Sequence, residues 1–350
     1  MQSVLSFRKR YSNSLLKLLP LLAFAVPLLW LYLLDAGSFE LMWKGRTFQL
    51  FFIWLIALEL ILSWEIIQPN KIGKPTATKT LALIAALLLP TVYVVLFNYL
   101  GLNTAIAEAS RQSGVTWWGS MALATEYLVF AMFFCLMIFL QFGKKGLKDF
   151  SVPAFFLAIV GALYTIDNVF PYGQFTPFQL LVPTTATLAA TVLNAMGYQT
   201  SLATAGTMPR LTATDPANPL RTATFDIAWP CAGIESLLIF TVVALLFLKR
   251  MPISWKAKTA YFAVGAAVTY LINILRIAAF YPIGMDYGVN SEQVRLFHVY
   301  YGPLYPIVWI VLYPLIILSS QSLWRKIAEK RGNKKSQGNK EDVKAYLKPV

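Results

Sequence analysis

Three residues are of types that could serve thiol chemistry, Cys231 as a nucleophile, His298 as a base and Arg276 as a fixed cation. The chain has two cysteines and a single histidine. A thiol is a nucleophile only as the thiolate, and an imidazole is the usual base that makes one. Cys231 follows Trp229-Pro230 and is expected to open an apolar helix, where unpaired N–H groups and the helix dipole favour a thiolate. His298 is expected to open a later helix on the same side. Local sequence leaves both open to a plainer role, as a small interfacial residue and as a structural histidine. Cys135 lies inside an apolar run with no basic neighbour and reads as an inert buried thiol.

Arg276 sits in the apolar stretch Asn273-Ile274-Leu275-Arg276-Ile277. At 1.5 Å per residue it lies roughly 7–8 Å below the helix end near Tyr281. An arginine at that depth either snorkels to the interface or faces the protein interior with a partner. Asn273, three residues earlier on the same face, favours the interior. Glu235, four residues after Cys231, Glu126 and Asp167 are candidate partners for Arg276 or orienters of His298. Helix-to-helix contacts are an equal alternative for each of the three.

The elements that must position these groups follow from composition. The 350 residues carry a net charge of +14, yet only 13% are charged, 57% are hydrophobic and the mean hydropathy is +0.59. Soluble domains carry about 25% charged residues. Apolar runs of about 20 residues recur along the chain and mark a polytopic, all-α membrane protein. The basic excess sits in short loops and the tail, which is a topology signal and not a nucleic-acid one. One histidine and two cysteines make no metal or cluster site and no disulfide scaffold, and no phosphate-binding loop is present. No cofactor is expected.

Eight spans are expected, beginning with a retained helix at Leu15–Leu34 and continuing at Thr47–Ile67, Thr80–Leu100, Ser120–Gln141 and Val152–Phe170. The last three are Ala232–Leu248, Thr259–Tyr281 and His298–Ser320. Basic loops at Lys71/Lys74/Lys79, Lys144/Lys145/Lys148 and Lys249–Lys258 assign the cytoplasmic side, as does a tail with nine basic and three acidic residues. That assignment holds only if the weaker apolar stretch Phe178–Gly197 does not cross. Its polar stripe of Thr184, Thr187, Thr191 and Asn194 agrees, so it reads as a re-entrant or interfacial helix. Both termini are then cytoplasmic and Cys231 and His298 extracytoplasmic.

The chain divides into residues 1–46, an N-terminal cytoplasmic segment with the first helix, and 47–197, spans two to five with the re-entrant helix. Residues 198–230 form an extracytoplasmic loop, 231–320 the chemistry-bearing helices, and 321–350 a basic, partly unstructured tail. In the loop, Phe225, Ile227 and Trp229 alternate as a strand would, and Asp215-Pro216 with Asn218-Pro219 marks a turn, so a small β-hairpin is expected.

Pro230-Cys231-Ala232-Gly233-Ile234, then Asn273-x-x-Arg276, then His298 at the start of the last span resembles the exosortase/archaeosortase family. The resemblance covers about residues 80–320, with its motifs within 225–300. Ala232 departs from the Ser or Thr frequent at that position, which leaves the subfamily open. The resemblance implies a membrane-embedded cysteine transpeptidase or protease with Cys231, Arg276 and His298 as the catalytic set, and Gly233, Glu235 and Asn273 in support. Implied partners are exported proteins with a C-terminal sorting signal (a short motif, one span, a basic end), and a lipid or glycan acceptor. The competing classes are a multi-pass transporter, with Glu59, Glu126, Glu235 and Arg276 lining a path, and a non-enzymatic envelope scaffold. No inverted repeat supports the transporter.

Overall fold

The structure, a computed structural model, describes residues 2–41, 43–67, 77–170, 180–205 and 208–346. Lys71, Lys74 and Phe178 of the sequence reading lie outside these residues. The helices are α1 (Gln2–Leu34), α2 (Gly37–Glu40), α3 (Thr47–Ser63), α4 (Ala77–Tyr99), α5 (Leu102–Gln112), α6 (Met121–Asp149), α7 (Ser151–Val169) and α8 (Leu181–Ala195). Strands β1 (Gln199–Ala205), β2 (Met208–Asp215) and β3 (Asn218–Asp226) follow, then α9 (Ile234–Arg250), α10 (Trp255–Tyr287), α11 (Glu292–Leu296) and α12 (Gly302–Tyr346).

This is a polytopic, predominantly helical membrane protein. Among the described residues, six helical stretches are long and apolar enough to cross a bilayer: Leu15–Leu34, Ala77–Tyr99, Trp118–Asp149, Ser151–Val169, Trp255–Tyr287 and Glu292–Trp324. The other two expected spans, α3 and α9, have 17 residues each. Such a helix is about 25 Å long, at the lower limit for crossing. In α9 the limits are set locally, by a left-handed Gly233 (φ +96°) before it and by extended Met251 (ψ 134°) after it. The 15-residue α8 carries Thr184, Thr187, Thr191 and Asn194 on its exposed face and buries Val182, Ala186, Ala189, Ala190 and Leu193. The tail read as partly unstructured continues α12 as helix to Tyr346.

The chain forms two compact units that are not consecutive stretches. The first comprises Met1–Thr184, Ala203–Arg210 and Asp226–Pro230. Its core is aromatic: Phe24 meets Phe52, Phe130 and Phe134 edge-on, with ring centroids 5.3, 5.5 and 5.8 Å apart. Interlocked rings fill space between helices that lipid does not push together, so packing and polar contacts must hold them. The polar contacts gather at the start of α3. Arg46 forms a two-pronged pair with buried Glu126 (2.8 and 3.0 Å) and reaches Asp35 at 3.2 Å. Lys44, in the left-handed region at φ 55°, pairs with buried Asp167 at 2.8 Å and lies 3.5 Å from the centroid of the Trp117 ring. Burial lowers the Lys44 pKa by more than its pairing with Asp167 raises it.

The second unit comprises Thr185–Leu202, Leu211–Phe225 and Cys231–Val350. Phe240, Ala244 and Leu248 of α9 pack with Ile310, Tyr313 and Ile317 of α12. Gly265 of α10 lets the helices close, because a Cβ there would lie 2.3 Å from the Phe240 ring and 2.6 Å from that of Tyr313. Small residues at such crossings are the usual device in membranes. Thr185 and Tyr270 share a hydroxyl hydrogen bond of 2.8 Å.

The loop expected as a hairpin is a three-stranded sheet of order β1-β2-β3. The Thr212–Thr224 and Thr214–Thr222 hydroxyl pairs (2.9 and 3.1 Å) set the β2–β3 register. The Asp215 carboxylate accepts from the Ala217 N–H at 2.9 Å and fixes the turn. Phe225 rests edge-on against Tyr281 at 5.2 Å, and the Tyr281 hydroxyl donates to the Leu211 carbonyl at 3.2 Å. Arg221 pairs with Asp215 at 2.7 Å and also with Asp286. These contacts seat the strands on the C-terminal end of α10.

Candidate functional site

Cys231 does not open α9, as its sequence position suggested. It sits in a separate 3-10 turn, Pro230–Ala232, and Gly233 divides that turn from the helix. A φ of +96° cannot continue a right-handed helix, so the helix begins at Ile234. Gly233 is needed a second time for space. A Cβ there would stand 3.0 Å from Asn273 Nδ2 and 3.2 Å from its Cγ.

That approach has a purpose visible in the hydrogen bonding. Buried Asn273 donates Nδ2–H to the Cys231 carbonyl at 3.0 Å. The asparagine therefore holds the backbone of the cysteine, and not Arg276, its expected neighbour. The Cys231 thiol is half-buried, as is that of Cys135.

Arg276 lies one turn further along α10. Its terminal N–H donates to the main-chain carbonyl of His298 at 3.3 Å. Its charge also acts on the Cys231 thiol and the Glu235 carboxylate, and on the His298 ring. Among the described residues its Nε–H is buried and has no hydrogen-bond partner. Glu235 is half-buried in the first turn of α9.

His298 lies near the start of the last long helical stretch, Glu292–Trp324, but not in its regular part. It belongs to a single π-helical turn, Phe297–Tyr301, between α11 and α12. Its ring is exposed and meets Phe280 edge-on at 5.4 Å. Phe280 in turn meets Phe297 at 5.0 Å and Phe225 of β3 at 5.9 Å. Single π turns inside helices recur at functional sites because the extra residue re-aims the groups beside it.

The structure thus brings Cys231, Glu235, Asn273, Arg276 and His298 together within the second unit. Glu126 and Asp167 go elsewhere. Glu126 is engaged by Arg46 and by Gln49, whose side-chain amide donates at 2.5 Å. Asp167 pairs with Lys44 and accepts from the indoles of Trp43 and Trp229 at 3.2 and 2.7 Å. Neither partners Arg276 or His298: each is buried in the first unit, and the cations that offset their burial come from the Trp43–Arg46 loop. Sequence reading also missed Phe280 and Gly302. For Gly302 the available signal was a glycine four residues after the sole histidine at the head of an apolar run. Among the described residues no three His, Cys, Asp or Glu side chains gather as a metal site.

One geometry therefore gathers a cysteine from the turn before α9, an Asn-x-x-Arg pair from α10 and a histidine from the π turn after α11. The family model for transmembrane exosortase matches residues 42–315. The chain belongs to the transmembrane exosortase family. The match begins some forty residues earlier than the motif resemblance suggested and takes in the Trp43–Arg46 loop and α3. No curated protein and no solved structure matches the chain.

Proposed function

We propose that this exosortase-family protein is a cysteine transpeptidase or protease. It cleaves the C-terminal sorting signal of exported proteins at the extracytoplasmic face. The observation that carries the reading is the position of Arg276, whose single charge acts on the Cys231 thiol and whose N–H holds the His298 backbone. A nucleophile, a base and a cation with unused donors are the parts that acyl transfer needs.

Cys231 Sγ attacks the scissile carbonyl carbon as the thiolate, its proton passing to His298. The carbonyl oxygen becomes an oxyanion, which Arg276 faces with its unused N–H groups. The C–N bond then breaks, His298 returns the proton to the departing amine, and a Cys231 thioester remains. Water resolves it to an acid, or an amine on a lipid or glycan precursor resolves it to an amide. A substrate tail with one span and a basic cytoplasmic end presents its motif on the outer side by the charge rule alone. By the same rule the chain's own basic loops and tail put both termini of the enzyme in the cytoplasm.

Substrate cleavage followed on a blot tests this reading. The Cys231→Ala variant is expected to accumulate uncleaved precursor, while Cys135→Ala processes normally. Processing by the Cys231→Ala variant at the parental level overturns the cysteine mechanism.

A further inference from the structure

We propose that Gly302, with the π turn it closes, is the positioning element that sets Arg276 beside Cys231 and His298. This inference rests on the proposed function for its meaning in catalysis, and on geometry alone for the contact itself.

Gly302 has φ −59° and ψ −46°, ordinary right-handed helix values that any residue adopts. Its backbone therefore does not call for glycine, and space does. A Cβ at this position would lie 2.7 Å from Arg276 Nε and 3.4 Å from its Cδ. Real carbon–nitrogen contacts are near 3.5 Å, so the guanidinium stem would have to leave its place. Gly302 is buried while Arg276 is only half-buried, so the flexible arginine stem is what gives way.

The same residue closes the π turn. The Gly302 N–H donates to the Phe297 carbonyl, five residues back, and a Cβ would stand 2.8 Å from that oxygen. The turn carries His298, whose own carbonyl receives the Arg276 N–H. One missing side chain thus admits the arginine stem and shapes the turn that supplies its acceptor. With Nε stacked on the bare Cα surface, the end of the guanidinium is directed to His298, and its charge acts on Cys231 and Glu235. The charged or titratable groups acting on Arg276 are Cys231, Glu235 and His298.

The test is a double-mutant cycle read by the thiol and not by turnover. In a Cys135→Ala background, the rate of Cys231 alkylation by iodoacetamide is measured at pH 7 on the full chain in membranes. A cation close to a thiol shifts its pKa by a unit or more, each unit changing the thiolate fraction up to tenfold. Arg276→Ala is expected to slow alkylation by about tenfold. Gly302→Ala is expected to slow it by a similar factor, and the double variant to be no slower than Arg276→Ala alone.

Parental alkylation in Gly302→Ala overturns the proposal. So does a double variant slower or less abundant in the membrane than Arg276→Ala, because a purely structural glycine acts whatever stands at 276. Substrate processing is scored in parallel with Cys231→Ala. If that variant still processes substrate, the proposed function fails while the cycle continues to report on Gly302 and Arg276.

Discussion

Replacing Gly233 by alanine tests how the turn before α9 presents Cys231. Two costs follow from the structure. The backbone at 233 is left-handed, φ +96°, and an L-residue with a Cβ there costs about 1–2 kcal/mol relative to glycine. The new Cβ also meets the Asn273 amide at 3.0–3.2 Å, so that amide must shift by a few tenths of an ångström. Its hydrogen bond to the Cys231 carbonyl, 3.0 Å long, is the contact at risk, and such a bond contributes about 1 kcal/mol. Together these lower the population of the observed turn by about 2–3 kcal/mol, or about 30- to 150-fold in rate if that turn is the reactive one. The assay is turnover of a purified substrate tail, normalised to inserted, folded enzyme. The Asn273→Ala variant removes the contact but leaves the backbone cost. In that background Gly233→Ala should therefore cost only the backbone share, about 1–2 kcal/mol. Turnover of Gly233→Ala within about threefold of the parent would refute the reasoning, since threefold is well under 1 kcal/mol.

Arg276→Lys should insert normally and lose about 100- to 1000-fold in turnover, the usual cost of one oxyanion donor, because an ammonium lacks the planar fork. Near-parental turnover of that variant would instead mark Arg276 as a helix anchor. A membrane-impermeant thiol reagent applied to intact cells should label Cys231 and leave Cys135 unlabelled. A cysteine introduced between Lys249 and Lys258 should also escape, and its labelling from outside would overturn the proposed sidedness. Asp167→Asn keeps an acceptor for the Trp229 indole but removes the partner of buried Lys44. It should lower thermal stability of the inserted protein by about 3–5 kcal/mol, the cost of orphaning one member of a buried pair. An unchanged melting transition would show that Lys44 has other means of solvation.

Legibility differs between the fold and the site for a physical reason. Each apolar run of about 20 residues must satisfy its own backbone in lipid, so the helical class and six of its long spans follow from hydropathy alone. The limits of α9 do not, because they depend on one glycine's φ and on an extended residue before a proline. Residue types in order were enough to single out Cys231, Asn273, Arg276 and His298, since a charged group or a lone histidine near lipid is costly and conspicuous. Their pairing was not. The sequence offered Glu126, Asp167 and Glu235 equally as partners for Arg276.

What residue order determined by itself is the membrane class, most of the spans, and a set of candidate groups for the proposed thiol chemistry. What only the tertiary structure decided is who meets whom. Glu126 and Asp167 are neutralised by Arg46 and Lys44 from a strained loop distant in sequence, while Asn273 takes the Cys231 carbonyl and Arg276 that of His298. Gly302, marked in the sequence only by its place four residues after His298, becomes informative once the Arg276 stem is seen against its Cα. Hydropathy is summed residue by residue along the chain. A hydrogen bond or an ion pair depends on a distance across it, and that distance exists only after the helices have packed.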